Sequence, residues 1–471
     1  MINLVFSSLI FLFMFLPITL IIYYICPRKF KNLVILIMSL IFYAWGEPVY
    51  IFLMIGSILI DYIGGLMIEA NKEDSEKRTA IFITVIVLNL SFLFFFKYYG
   101  FLIDNINEIL GVNLQIRNLP LPLGISFYTF QLISYVADVY MGKVVAQKNI
   151  INFGAYITMF PQLVAGPIVQ YNDVEDQLNN RIESVDKFGE GVERFIRGIG
   201  KKVLIANNIG MIWTSIKGIS VGELSVLSAW IGIIAFTLQI YFDFSGYSDM
   251  AIGLGKMFGF EFLENFDHPY MSKSISEFWR RWHISLGSWF RDYIYIPLGG
   301  NRRGQAVQFR NLLIVWFATG LWHGASWNFV IWGLYFGIFI FLEKLFLGKV
   351  LKKVPSAVAH IYTLVLVIIS WVFFDTAKVS DALSYIKIMF GIGENIFIDN
   401  MAKYTLKTNL IILVIAIICS TPLIKNLIIH LKKKYKLKGV FIVIAINMLV
   451  LFISVVYLIS ESYNPFLYFR F

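Results

Sequence analysis

Apolar runs of about twenty residues, the length needed to cross a hydrocarbon core, recur along this whole 471-residue chain. Only 15% of its residues are charged, against about 25% in a soluble globular protein, while 58% are hydrophobic and 17% aromatic. The chain therefore reads as one all-α polytopic membrane domain over 1–471, with no soluble domain set apart from an anchor. Candidate spans are 4–25, 32–45, 48–69, 80–98, 121–141, 150–170, 202–217, 225–256, 309–325, 327–346, 357–374, 408–428 and 438–460. The first lacks a basic leader and a small-residue cleavage site, so it reads as a retained span. Segment 32–45 is short, 121–141 has prolines near its start, and 150–170 is broken by "FPQLVAGP". Such pieces tend to be re-entrant and to line protein-enclosed space, so ten to twelve of the segments are expected to cross.

The formal charge of +10 is placed for a membrane, not for nucleic acid. Lysine and arginine gather in short loops: "RKFK" (28–31), "KEDSEKR" (72–78), "NRRG" (301–304), "KVLKK" (349–353) and "KKKYKLK" (432–438). That follows the positive-inside rule and an anionic lipid surface. The uncharged start and the basic final loop place both termini on the outer side. Cys26 and Cys419 lie in or beside separate apolar spans and support no disulfide framework.

Two stretches are not simple spans. Residues 171–200 alternate charged and apolar side chains at helical spacing and fit an interfacial amphipathic helix. Residues 272–303 combine three tryptophans, five arginines and one histidine, a density suited to the headgroup level or a protein-lined groove.

Within "FATGLWHGASWNFVIWGLYFGIFIF" (317–341) stands one imidazole, His323. A titratable group inside the bilayer is expensive and marks function by default. Gly320 and Gly324 leave room for close approach, and Trp322 and Trp327 flank the ring. An imidazole held in apolar surroundings stays neutral and can serve as a general base; a histidine bridging two helices is the plainer alternative. In "SEFWRRWHISLGSWFRDY", a continuous helix would place Trp279, four residues before His283, on the same face. His283 fits either substrate contact or architecture. In "LQIYFDFSGYSDMAIGLGKMFGF" (238–260), Ser245 and Asp249 share a helix face while Asp243 is offset. They fit a water- or ligand-filled passage, or an interhelix staple. The tail 461–471 ends in "YNPFLYFRF", too aromatic to stay in water; it is expected to dock in a groove of its own protein, sealing it or delivering the Tyr468 hydroxyl to the buried site. There is no HExxH, zinc-spaced Cys/His cluster, Walker lysine loop or GxSxG elbow, so metal chemistry is not expected.

"FWRRWHISLGSWFRDYIYIPLGGNRRG" and "RNLLIVWFATGLWHGASWNFVIWGLYFG" closely resemble the membrane-bound O-acyltransferases, and within them the alginate O-acetylation branch. "FYAWGEP", "PLGISFYTFQLISYVADVY", "FPQLVAGPIVQY" and "NPFLYFRF" extend the likeness over nearly the whole chain. The resemblance implies about eleven transmembrane helices around a funnel and tunnel, with His323 catalytic and His283 the second signature histidine. It implies an acetyl-CoA or other acyl thioester donor reaching the site from the cytoplasm, a polysaccharide acceptor, a bacterial plasma membrane, and an extracytoplasmic SGNH-type acetyltransferase or esterase as partner. Trp322, Ser326 and Asn328 are candidate oxyanion donors, Tyr468 a candidate acyl relay, and Trp279, Asp243, Ser245 and Asp249 candidate substrate contacts. D-alanyl transfer to teichoic acid is the alternative within enzymes; a non-catalytic polysaccharide or lipid-sugar transporter is the alternative outside them.

Overall fold

The computed structural model describes residues 5–116, 119–163, 166–460, 463–465 and 467. Among these the chain is helical, with no strand. It divides into two compact units, one of residues 1–195 and 250–263, the other of residues 196–249 and 264–471.

In the first unit, α1 (Leu16–Ile25), α2 (Lys31–Gly46), α3 (Ile51–Ala70), α4 (Ser75–Leu110), α5 (Ile125–Tyr140), α6 (Ile150–Thr158) and α7 (Tyr171–Asn180) pack around an aromatic and small-residue core. Asp74 starts α4 by accepting the Lys77 N–H at 3.0 Å, satisfying one of the orphan donors of a helix start. Gly64 and Gly65 of α3 let Val85 and Tyr135 approach so closely that a methyl group would collide with either side chain. Beside them Asp61 is wholly buried and accepts the Asn89 amide at 2.8 Å.

Of the three doubtful segments, 32–45 becomes α2, within a helix long and apolar enough to cross a membrane, while this unit encloses 121–141 and 150–170. Nearly every residue of α5 is buried, so its serines, threonine and glutamine meet protein. Residues 150–170 break at Met159 into α6 and a four-residue turn of helix, again buried. Residues 171–200 form two helices, not one: α7 and α8 (Val185–Ile199), separated where Arg181 turns to extended backbone.

The second unit holds α9 (Asn207–Lys217), residues 226–249 of α10 (Val226–Met257), α11 (Ile275–Arg281), α12 (Ile284–Phe290), α13 (Gln305–His323), α14 (Trp327–Leu342), α15 (Ser356–Asp375), α16 (Asn400–Cys419) and α17 (Leu423–Ser460). Eight helices along the described chain are long and apolar enough to cross a membrane. The segment 408–428 shifts to α16, and α17 absorbs the basic run, breaking at Lys436, whose φ is 45°. The chain is a multi-pass membrane protein.

Its tightest element pair is the α13–α14 hairpin. Gly320 and Gly333 meet there: a Cβ on Gly333 would lie on the Trp316 carbonyl oxygen and 3.0 Å from the Cα and N of Gly320. Small residues at a crossing allow backbone contact that larger side chains forbid. The crossing holds the last turn of α13 at a fixed depth, and His323 closes that turn.

Candidate active site

His323 is the final residue of α13 and is 3% exposed. Aromatic rings of the described residues enclose it. Trp322 stands at 5.0 Å between ring centres and 84°, Trp332 at 4.8 Å and 81°, and Phe374 at 5.4 Å. Trp332 comes from α14 and Phe374 from α15, so three helices build the cage. Trp327, also expected around this ring, is half exposed. The end of an α-helix carries partial negative charge, so positive charge developing on His323 during proton uptake is favoured there.

His283 is 1% exposed and reaches the same cluster through Trp322, whose ring centre lies 6.0 Å from its own. The continuous helix expected over this stretch does not form. α11 ends at Arg281, Trp282 is extended, and His283 sits at φ 46°, ψ 53° as the residue before α12. Trp279 and His283 therefore do not share a helix face. A left-handed histidine is uncommon and persists only where surroundings impose it. Here Asn265 does so: its carbonyl accepts the Ile284 N–H at 3.0 Å, and its side-chain Oδ1 accepts from Ser285 N at 3.1 Å and Ser285 Oγ at 2.9 Å. His283 lies outside the eight spans, and burial pulls its imidazole pKa down to about 3.

The start of α11 is held from far away in the chain. Glu343, buried, accepts the Ile275 N–H at 2.6 Å and the Ser276 N–H at 2.8 Å, while Ser274 Oγ accepts from Glu277 N at 3.0 Å. A carboxylate facing the positive end of a helix is stabilised there. Above α11 the wall is aromatic: Trp279 packs on Trp316 at 4.7 Å, Phe336 at 5.0 Å and Trp332 at 5.7 Å.

Of the oxyanion candidates, Trp322 lines the cage, Asn328 donates to the Thr376 carbonyl at 2.7 Å, and Ser326 precedes α14 without capping it by its side chain. The structure thus gives Asn328 an interhelix role.

The acidic residues of α10 form a second constellation. Asp243 meets Lys202 at 2.7 Å, the pair being 1% and 3% exposed, and Asp249 meets Lys201 at 2.7 Å. Ser245 is buried on the Asp249 face. Both lysines lie in a π-helical stretch, Gly200–Ala206, a geometry common at functional sites. The sequence reading passed over these lysines, though a "KK" pair entering an apolar run was the available signal. The pair also clamps the tail: Lys202 donates to the Pro465 carbonyl and Asp243 accepts the Leu467 N–H at 3.0 Å, with Asn207 reaching Asn464 at 3.2 Å. The aromatic tail thus docks in its own protein through residues 463–465 and 467. Tyr468 lies outside the described residues. Among the described residues no cluster of three or more His, Cys, Asp or Glu could hold a metal ion.

Comparisons with known proteins agree with this frame. The probable alginate O-acetylase AlgI of Pseudomonas putida is 39% identical over 490 residues, covering 99% of this chain and all of the relative. The probable alginate O-acetylase AlgI of Pseudomonas aeruginosa is 43% identical over 396 residues, covering 83% of this chain and 75% of the relative. The peptidoglycan O-acetyltransferase of Helicobacter pylori is 34% identical over 83% of this chain and 80% of its own length. Residues 145–380 match MBOAT, the membrane-bound O-acyltransferase family. That segment contains His283, His323 and the α13–α14 hairpin, and the chain belongs to this family of membrane O-acyltransferases.

Proposed function

We propose that this acyltransferase moves acetyl groups from a cytoplasmic thioester, acetyl-CoA, across a bacterial plasma membrane for O-acetylation of an extracellular or cell-wall polysaccharide, with His323 as general base. The observation that carries the reading is the position of His323: an imidazole almost wholly buried, at a helix end, inside an aromatic cage fixed by the α13–α14 crossing. The names of the relatives that align over four fifths or more of the chain, acting on alginate and peptidoglycan, support acetyl transfer to glycans.

In this reading a neutral His323 accepts the proton of the acceptor hydroxyl as its oxygen attacks the thioester carbonyl. The aromatic wall excludes water, so hydrolysis of the donor does not compete. His283 supports the wall through Trp322. The tail clamp of Lys202 and Asp243 presents the C-terminal end to the site, where Tyr468 takes the acetyl group and passes it outward to an SGNH-type partner or to the glycan. Both termini face outward.

The test is donor and product together. Membranes carrying the full chain are supplied with isotopically labelled acetyl-CoA or, separately, with D-alanine loaded on a carrier protein, and the exported polymers are analysed by mass spectrometry. Ester-linked labelled acetate supports the proposal. D-alanyl esters would overturn it, as would label-free export of polymer.

A further inference from the structure

A buried N–H group that finds no acceptor loses its hydration without compensation, so native structures keep few of them. Two indoles of the second unit follow the rule: Trp213 Nε1 donates to Asp375 at 2.8 Å and Trp230 Nε1 to the Met389 carbonyl at 2.7 Å. Trp332 does not. It is 0% exposed, and its Nε1 is buried with no hydrogen-bond partner among the described residues. Its ring packs on the His323 imidazole at 4.8 Å between centres, almost perpendicular.

Packing alone does not ask for an indole there. One turn along α14, Phe336 fills the same wall, against Trp332 at 5.4 Å and Trp316 at 5.7 Å. A phenyl ring suits that environment and leaves no donor stranded. The nitrogen at 332 is what remains to be explained.

We propose that Trp332 Nε1–H is the oxyanion donor of the site, binding the carbonyl oxygen of the acyl thioester. The inference rests on His323 as general base. The step balances as follows. A nitrogen of His323 takes the proton of the acceptor hydroxyl, and the hydroxyl oxygen bonds to the thioester carbonyl carbon. The carbonyl π pair moves onto its oxygen, which Trp332 N–H then holds. On collapse the C=O bond re-forms, the C–S bond breaks, and the thiolate leaves with the proton from His323. Base, attacking oxygen, carbonyl and donor follow one another at contacts of about 3 Å each, a chain short enough to be served by two touching rings. A donor aimed where charge develops acts mainly on the transition state.

The test compares Trp332→Phe, a full chain bearing the nitrogen-free isostere β-(3-benzothienyl)alanine at 332, and His323→Ala, each in membranes given labelled acetyl-CoA with the host's exported polysaccharide as acceptor. Removing one oxyanion donor lowers kcat by about 10²–10³, so both 332 forms should lose on that order in kcat with KM for acetyl-CoA changed less than about threefold. The isostere separates donor from shape: if it retains the wild-type kcat, the inference is overturned even where Trp332→Phe is poorly folded. His323→Ala reports on the underlying reading. An active His323→Ala sinks that reading, whereas an inactive His323→Ala beside a fully active isostere sinks only the role of Trp332.

Discussion

Gly333→Ala is the most informative single methyl group in this structure. The added Cβ would fall on the Trp316 carbonyl oxygen and 3.0 Å from the Gly320 Cα and N, all of them backbone and unable to rotate aside. Ordinary contact begins near 3.4 Å, so α13 and α14 must part by roughly an ångström. A misplacement of that size at a reacting group costs about 10²-fold in rate. His323 rides on the last turn of α13 and Trp332 on α14, so the displacement opens the cage between them. The expected result is near-normal amounts of membrane-inserted protein with acetyl transfer reduced about 10²-fold. Gly56→Ala is the control, since nothing lies within 4 Å of its Cβ and alanine favours a helix by about 0.5–1 kcal/mol. Transfer is measured in membranes with labelled acetyl-CoA, and protein amount by quantitative blot. Full activity in Gly333→Ala would refute the argument that the crossing sets the geometry of the site.

Removing one partner of a buried ion pair costs about 3–5 kcal/mol, so Lys202→Met should release the tail; limited proteolysis of the C-terminus reports it, and unchanged protection would contradict the clamp. Glu343→Gln leaves one of two backbone donors of α11 poorly satisfied, a loss of about 1–3 kcal/mol, read as a lower unfolding temperature in detergent. For His283, burial favours the neutral ring. The unfolded chain, with a histidine pKa near 6.5, takes up a proton that the folded ring refuses until about pH 3. Stability should therefore fall as the pH drops below about 6.5. His283→Asn, which tolerates the left-handed backbone, should show a smaller drop between pH 7.5 and 5; an equal drop would contradict the account. Tyr468→Phe with full polymer acetylation would remove the tail relay.

What the sequence carried and what it hid differ in physical range. His323 was legible because a single imidazole in an apolar run is a local anomaly with few explanations. The glycines around it were legible too, but not what they approach: Gly333 against Trp316 is a fact of two helices crossing. His283 was placed on the wrong face. "WRRWH" has helical propensity, and the break at Trp282 is imposed by Asn265, seventeen residues upstream. The Glu343 cap on α11, sixty-eight residues from Ile275, leaves no local trace. The carboxylates of α10 pointed to a polar passage, yet Asp243 and Asp249 are each met by a lysine from a π-helical turn that periodicity does not reveal. Of the tail, residues 465 and 467 are held by that same ion pair through their backbone, a contact that no local pattern names.

The central claim is that His323 is the base of the transfer. It is tested most directly by the ester-linked acetate content of exported polymer from cells making the full chain or its His323→Ala form, at matched protein levels and unchanged detergent stability. The account predicts that acetate falls to the level of cells lacking the protein. Acetate at the wild-type level in the His323→Ala cells would contradict it.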